Sequence, residues 1–237
     1  MTLYIAPIVE GQTEQGCLAR LLHRIWAEVL ARAERLQVLE PFRGHRDALV
    51  HQEGRALTET VQKAFVKLQA KARKDLEGRS LVLILLDAED DCPARLAPRL
   101  LETARMARRD TDIACVLAKR MLENWIVAGS STLVGANGLP DDLKPPEDIE
   151  GLSGAGWLDE QLRSRDRTRK YKKTVDAKEF VQAMDLAGCQ RNSPSFDKLC
   201  RELCARVQRA PEVQNSTTEA ADDRSKPDDE GPADSAP

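Results

Sequence analysis

Leu81 to Asp91 reads Leu-Val-Leu-Ile-Leu-Leu-Asp-Ala-Glu-Asp-Asp, six unbroken apolar residues followed by four acids within five positions. No other stretch restricts the fold so tightly. A short run of branched apolar side chains bounded by polar residues suits a strand buried on both faces of a parallel sheet. In open α/β sheets, ligands bind at the carboxyl ends of such strands. Asp87, Glu89, Asp90 and Asp91 lie so close that they repel one another, unless a cation or a basic group compensates. A hard divalent cation such as Mg²⁺ or Mn²⁺ would compensate through oxygen ligands. A solvated acidic turn ending a strand is the plainer alternative.

The neighbouring segments repeat the same alternation. Leu3 to Val9 predicts a first strand, with Pro7 suggesting a local irregularity. It ends in Glu10-Gly-Gln-Thr-Glu14, where Gly11 permits a tight turn and Thr13 is the expected helix N-cap. Cys17, Leu18, Leu21, Leu22, Ile25, Trp26, Val29 and Leu30 then recur at helical spacing. A short strand is expected near Gln37 to Pro41, followed by a polar segment, Arg43-Gly-His-Arg-Asp. Leu57 to Ala72 carries a second amphipathic helix, Ala94 to Arg109 a third, and Ile113 to Ala118 another strand. Strands alternating with helices predict an α/β fold with a mainly parallel sheet covered by helices. Beyond Gly129 the pattern loosens: Gly135 to Gly156 reads as an insertion or long loop. Two helices, near Asp176 to Leu186 and Ser195 to Val207, form a small C-terminal addition.

Charge is unevenly spread. From Glu212 onward eight acids stand against Arg224 and Lys226, a balance of −6 within a total of −3, which leaves the body at +3. The tail is predicted to be disordered, and the mildly basic body is compatible with a polyanionic partner. The six cysteines include no Cys-x-x-Cys pair, which argues against zinc. No signal peptide or membrane-length apolar segment is visible, so a cytoplasmic protein with reduced thiols and no membrane partner is expected. Arg163 to Lys173 holds seven basic residues and one acid, Asp166. It suits a nucleic-acid backbone, or simply a solvated charged face.

Acids at the ends of several strands of one parallel sheet fall on one edge. Glu10, Glu14 one helical turn later, Asp87 and Glu123 past the last strand can therefore meet around a metal. Each also has a simpler role: Glu14 suits a helix dipole, Glu10 a turn, and Glu123 a pair with Lys119. His23, His45 and His51 are expected to be solvated or structural.

Ile8-Val-Glu-Gly-Gln-Thr-Glu14 followed by Leu85-Leu-Asp-Ala-Glu-Asp-Asp91 resembles the two signature motifs of the Toprim superfamily. That superfamily holds topoisomerase and primase catalytic domains and OLD-family nucleases. The Lys119-Arg-Met-Leu-Glu-Asn-Trp125 and Tyr171-Lys-Lys173 segments are most similar to a small OLD-like branch, domain of unknown function 4276. The resemblance spans roughly residues 3 to 190. It implies a Toprim-like core over residues 1–130. Residues 131–210 would then hold the insertion, basic segment and C-terminal helices, and residues 211–237 the acidic tail.

By this resemblance Glu10 is a metal ligand or general acid/base, Glu14 and Asp87 are metal ligands, and Glu123 helps to hold a second metal. Lys173, or else Lys170 or Lys172, faces the transition-state charge. The usual Asp-x-Asp stands here as Asp87-x-Glu89, so the further ligand is Glu89, Asp90 or Asp91. Arg167, Arg169, Lys170 and Lys172 are the nucleic-acid-binding candidates. The implied activity is Mg²⁺- or Mn²⁺-dependent hydrolysis of DNA or RNA, with two metals suspected, in defence against phage or mobile DNA. A separate AAA- or ABC-type ATPase is the implied partner, and a homo-oligomer stays open. Two rivals remain: metal-dependent phosphoryl transfer on a small substrate, and a non-catalytic docking subunit. No P-loop is present, so the chain carries no NTPase site of that type.

Overall fold

The computed structural model describes residues 1–208 apart from Gln52, so the acidic tail expected at 211–237 lies outside the described residues. Strand β1 (Thr2–Val9) is central, flanked by β4 (Arg79–Asp87) and by the short strands β2 (Arg35–Val38) and β3 (Phe42–Arg43). Strand β5 (Ile113–Ala118) completes the sheet beyond β4. All pairings are parallel, with Ile8 opposite Ile84 and Asp87 opposite Ala118. The α/β class expected from alternating strands and helices is the observed one.

Alternation along each strand divides the core into two layers. Leu3, Ile5, Val9, Leu81, Leu83, Leu85 and Val116 face helices α1 (Gln12–Arg24), α5 (Leu122–Ala128), α7 (Lys173–Ala183) and α9 (Pro194–Gln208). Ala6, Ile8, Val82, Ile84, Leu86 and Leu117 face α2 (Arg46–Val50), α3 (Arg55–Ala72) and α4 (Pro93–Ala107). The six apolar residues of β4 are all buried, as a strand covered on both faces requires. Residues on both sides of position 130 share the first layer: Trp125 meets Phe196 edge to face at 5.4 Å.

Several local expectations are corrected. Pro7 does not disturb β1. Ile5 and Val9 offer their carbonyls to Leu39 and Gly44 on the side of β2 and β3, so Pro7 faces that side too, where the neighbour is interrupted between Val38 and Phe42. The missing N–H of proline falls where no ladder partner stands. Thr13 is not the cap of α1: it is buried inside the helix, and Gly11 holds the cap position in an extended conformation. The helix ends in a π-turn over Ile25–Val29 that keeps Ile25 and Trp26 on the core. The polar segment after β3 contains helix α2. The expected long loop ends at Ser153, whose hydroxyl caps helix α6 (Gly154–Arg165). Three C-terminal helices replace the expected two, with α8 (Leu186–Asn192) capped by Asp185.

Candidate metal centre

The carboxyl ends of β1 and β4 and the amino ends of α1 and α5 bring four acids together. Glu10 follows β1 and Asp87 is the last residue of β4. Glu14 lies in the first turn of α1 and Glu123 in that of α5. Glu14, Asp87 and Glu123 are 4%, 8% and 1% exposed. Ionised acids rarely reach such burial without partners.

Their environment pushes the protons on. Burial raises the pKa of Asp87 well above the carboxylate range, and Glu14, Glu10 and Glu123 add to the rise. Glu10 is pushed up to about 7 by burial, then by Glu14 and Glu89, against the opposing pull of Arg46 and Lys173. Burial also raises Glu14, with Glu123 adding to it.

Each acid is turned to a different neighbour. Asp87 Oδ1 accepts a hydrogen bond from the Leu122 amide at 2.8 Å, at the amino end of α5. Glu123 Oε1 accepts one from the Tyr171 hydroxyl at 3.4 Å and pairs with Lys173 Nζ at 3.6 Å. Glu14 folds back over Gly11, where a Cβ would lie 2.2 Å from Glu14 Oε2, so a larger residue there would displace the Glu14 carboxylate. Glu10 Oε2 and Glu14 Oε2 are buried and have no hydrogen-bond partner. Among the described residues no group of three or more His, Cys, Asp or Glu side chains stands ready to hold a single ion. The two orphaned oxygens are costly, because each is out of water with no donor in its place.

The acids after Asp87 are placed differently. Glu89 adopts a positive φ of 50° and lies within 3.4 Å of Arg46 Nη1. Asp91 is bonded to Arg46 Nη2, and Asp90 pairs with Arg120 at 2.9 Å. Neither Asp90 nor Asp91 reaches the buried cluster, whereas Glu89 is near enough to Glu10 to raise its pKa. Arg46 is the residue that sequence reasoning missed.

The basic run divides as well. Arg163 is paired with Asp159 at 2.8 Å, and Arg165 donates to the Leu139 carbonyl at 2.7 Å. Arg169 is latched to buried Asp176 at 2.5 Å, whose second oxygen accepts from the Lys172 amide at 2.6 Å. Arg167, Lys170 and Lys172 are exposed and make no ion pair among the described residues. Lys173 alone of the seven turns to the acids. Because Asp176 satisfies both Arg169 and the amino end of α7, Asp176→Ala is expected to cost about 2 kcal/mol in urea unfolding. A loss below about 0.5 kcal/mol, the scatter of surface substitutions, would mean that the latch is idle.

Residues 9–204 match the family described as Domain of unknown function (DUF4276). The chain belongs to that family. The match takes in every candidate from Glu10 to Lys173, so the cluster lies within the shared DUF4276 region. A solved structure, the C-terminal region of the Burkholderia pseudomallei OLD protein, is similar at 15% identity and a TM-score of 0.35. It covers 86% of this chain and 98% of that one. None of the curated proteins matches.

In this DUF4276 protein the cluster stands apart from the apolar groove of about 690 Å³ between α4 and α9. That groove is lined by Pro93, Ala97, Leu117, Pro194 and Lys198 and includes none of the four clustered acids. Among the described residues no helix is long and apolar enough to cross a membrane.

Proposed function

We propose that this protein is a metal-dependent nuclease of Toprim type. Glu10, Glu14, Asp87 and Glu123 would hold Mg²⁺ or Mn²⁺, and nucleic acid would be the substrate. The observation that carries this reading is the pair of orphaned, buried oxygens on Glu10 and Glu14. Buried polar atoms almost always have partners, and those without one mark an ion, a water or a catalytic role. The donor set is all oxygen, which fits a hard cation. Glu10 and Glu14 would use their free Oε2 atoms, while Asp87 is held by the Leu122 amide with its second oxygen left for the ion.

When bound, a divalent cation would neutralise the acids and polarise a phosphoryl oxygen. The remaining roles belong to the chain. Glu10, held at a pKa of about 7 in the metal-free protein, would give up its proton near neutral pH as a cation binds. Lys173, paired with Glu123 at 3.6 Å, would meet charge developing on the phosphoryl group. Tyr171, stacked on Phe180 with ring planes 8° apart, fixes the Glu123 carboxylate that Lys173 pairs with. Arg167, Lys170 and Lys172 would follow the phosphate backbone, so binding should weaken as salt rises. A separate ATPase partner and a defence role rest only on the resemblance of the motifs.

Plasmid, single-stranded DNA and transfer RNA offered with Mg²⁺, Mn²⁺ or EDTA test the reading. Cleavage of at least one substrate, dependent on metal and lost in Lys173→Ala by roughly a hundredfold, is the expected result. Metal binding without cleavage would direct the search to a missing partner. No metal binding at all would leave the docking subunit as the better reading.

A further inference from the structure

We propose that Arg46 decides which acids of the Asp87–Asp91 turn are free to meet a cation, holding Glu89 and Asp91 as its own counter-ions and leaving Asp87 as the turn's contribution. This rests on the metal-dependent reading above and assigns the ligand set within it.

The guanidinium presents five donors in a rigid plane, and the turn supplies acceptors to match. Nε donates to the Asp87 carbonyl and Nη2 to the Ala88 carbonyl, each at 3.2 Å. Nη2 also bonds Asp91, and Nη1 faces Glu89 at 3.4 Å. The Arg46 side chain is 11% exposed, while Glu89 and Asp91 are 58% and 45% exposed, so a shielded guanidinium is held by the two carbonyls and keeps two partly solvated carboxylates as counter-ions. Two consecutive carbonyls are thereby fixed at the end of β4. The Asp87 side chain meanwhile turns to the Leu122 amide.

The turn itself is bent to serve this arrangement. Glu89 takes a φ of 50°, a region that L residues other than glycine enter at a cost. Its amide donates to the Arg120 carbonyl at 2.7 Å and the Asp91 amide to the Ala88 carbonyl at 2.9 Å. Arg120 takes Asp90 at 2.9 Å. Three of the four acids are thus matched to arginines. Asp87 has no ion-pair partner among the described residues and lies near enough to Glu10, Glu14 and Glu123 to feel all three, whereas Glu89 acts on Glu10 from its place beside Arg46.

Arg46 therefore acts as a positioning residue through charge: it subtracts two carboxylates from the set that a cation can recruit. Its removal should release them. The test is titration of the full-length, EDTA-stripped chain with Mn²⁺ alone, followed by electron paramagnetic resonance of the free ion. Glu89→Gln with Asp91→Asn should bind Mn²⁺ within about threefold of wild type, because both acids are already engaged. Arg46→Met should bind roughly tenfold more tightly or take up an additional ion, and the triple variant should lose that gain.

A tenfold or greater loss in the Glu89→Gln, Asp91→Asn protein would make those acids ligands and overturn the proposal. Unchanged binding by folded Arg46→Met would overturn it equally. Should Arg46→Met fail to fold, the double variant still decides, since it keeps Arg46. Wild type that binds no Mn²⁺ removes the metal reading itself, and with it this assignment, a result distinct from either of the others.

Discussion

Asp87→Asn is expected to abolish metal-dependent cleavage while making the metal-free protein more stable. Asparagine keeps the shape of aspartate, and its Oδ1 can still accept from the Leu122 amide, now at 2.8 Å from Asp87. What disappears is the cost of either burying a charge among Glu10, Glu14 and Glu123 or protonating Asp87 to avoid it, the cost that its raised pKa expresses. Substitutions that relieve strained functional sites commonly add about 1–2 kcal/mol. For a chain of this size that corresponds to a melting point higher by roughly 5 °C. Activity should move the other way. Groups one shell out from a metal already cost about 10- to 100-fold in affinity or rate when removed, and a direct ligand costs more. The comparison is thermal unfolding in EDTA beside cleavage in Mg²⁺. A lower melting point for Asp87→Asn would show that the acid serves the fold, as a cap for α5, and would count against the metal centre.

How much of this centre could be read from the chain depends on how local each signal is. The β4 strand, its neighbour β5 and helix α1 announce themselves through runs and periods of apolar residues that need no distant partner. Glu10, Asp87 and Glu123 sit at the ends of such elements, so a parallel sheet brings them to one edge, as observed. Gly11 is legible as a turn, but local rules point to Thr13 as the cap, because side-chain caps are the commoner device and nothing local shows Glu14 folding over the glycine. Arg46 was out of reach. It lies on a five-residue helix too short to show a period, and its partners are 41 to 45 residues away in sequence. The same holds for the basic run: its seven charges look alike in sequence, and only the fold gives Arg169 to Asp176 and Lys173 to Glu123.

The metal-free protein should lose stability as pH rises through neutrality, and a divalent cation should reverse the trend. Glu10 has a folded pKa of about 7 against an ordinary value of 4.5. A carboxyl raised in this way contributes stability that is fully present below the unfolded value and is lost as pH climbs through the folded one. Asp87 and Glu14 are raised too and act in the same direction. With a half-buried group partly screened by solvent, Glu10 alone is worth about 2 kcal/mol across this window, or roughly 5 °C in melting point. Metal binding needs the carboxylates deprotonated, so Mn²⁺ should stabilise little near pH 5 and most near pH 8. At a free concentration a hundred times its dissociation constant, a cation adds about 2.7 kcal/mol, enough to cancel the loss from Glu10. Thermal unfolding at about pH 5, 6.5 and 8, in EDTA and in Mn²⁺, reads both slopes. Glu10→Gln should lessen the metal-free slope, since it removes one of the groups that titrate inside the window. A cation effect that is the same at all three pH values would mean that Mn²⁺ binds somewhere other than these acids, because only their deprotonation ties its affinity to pH in this range.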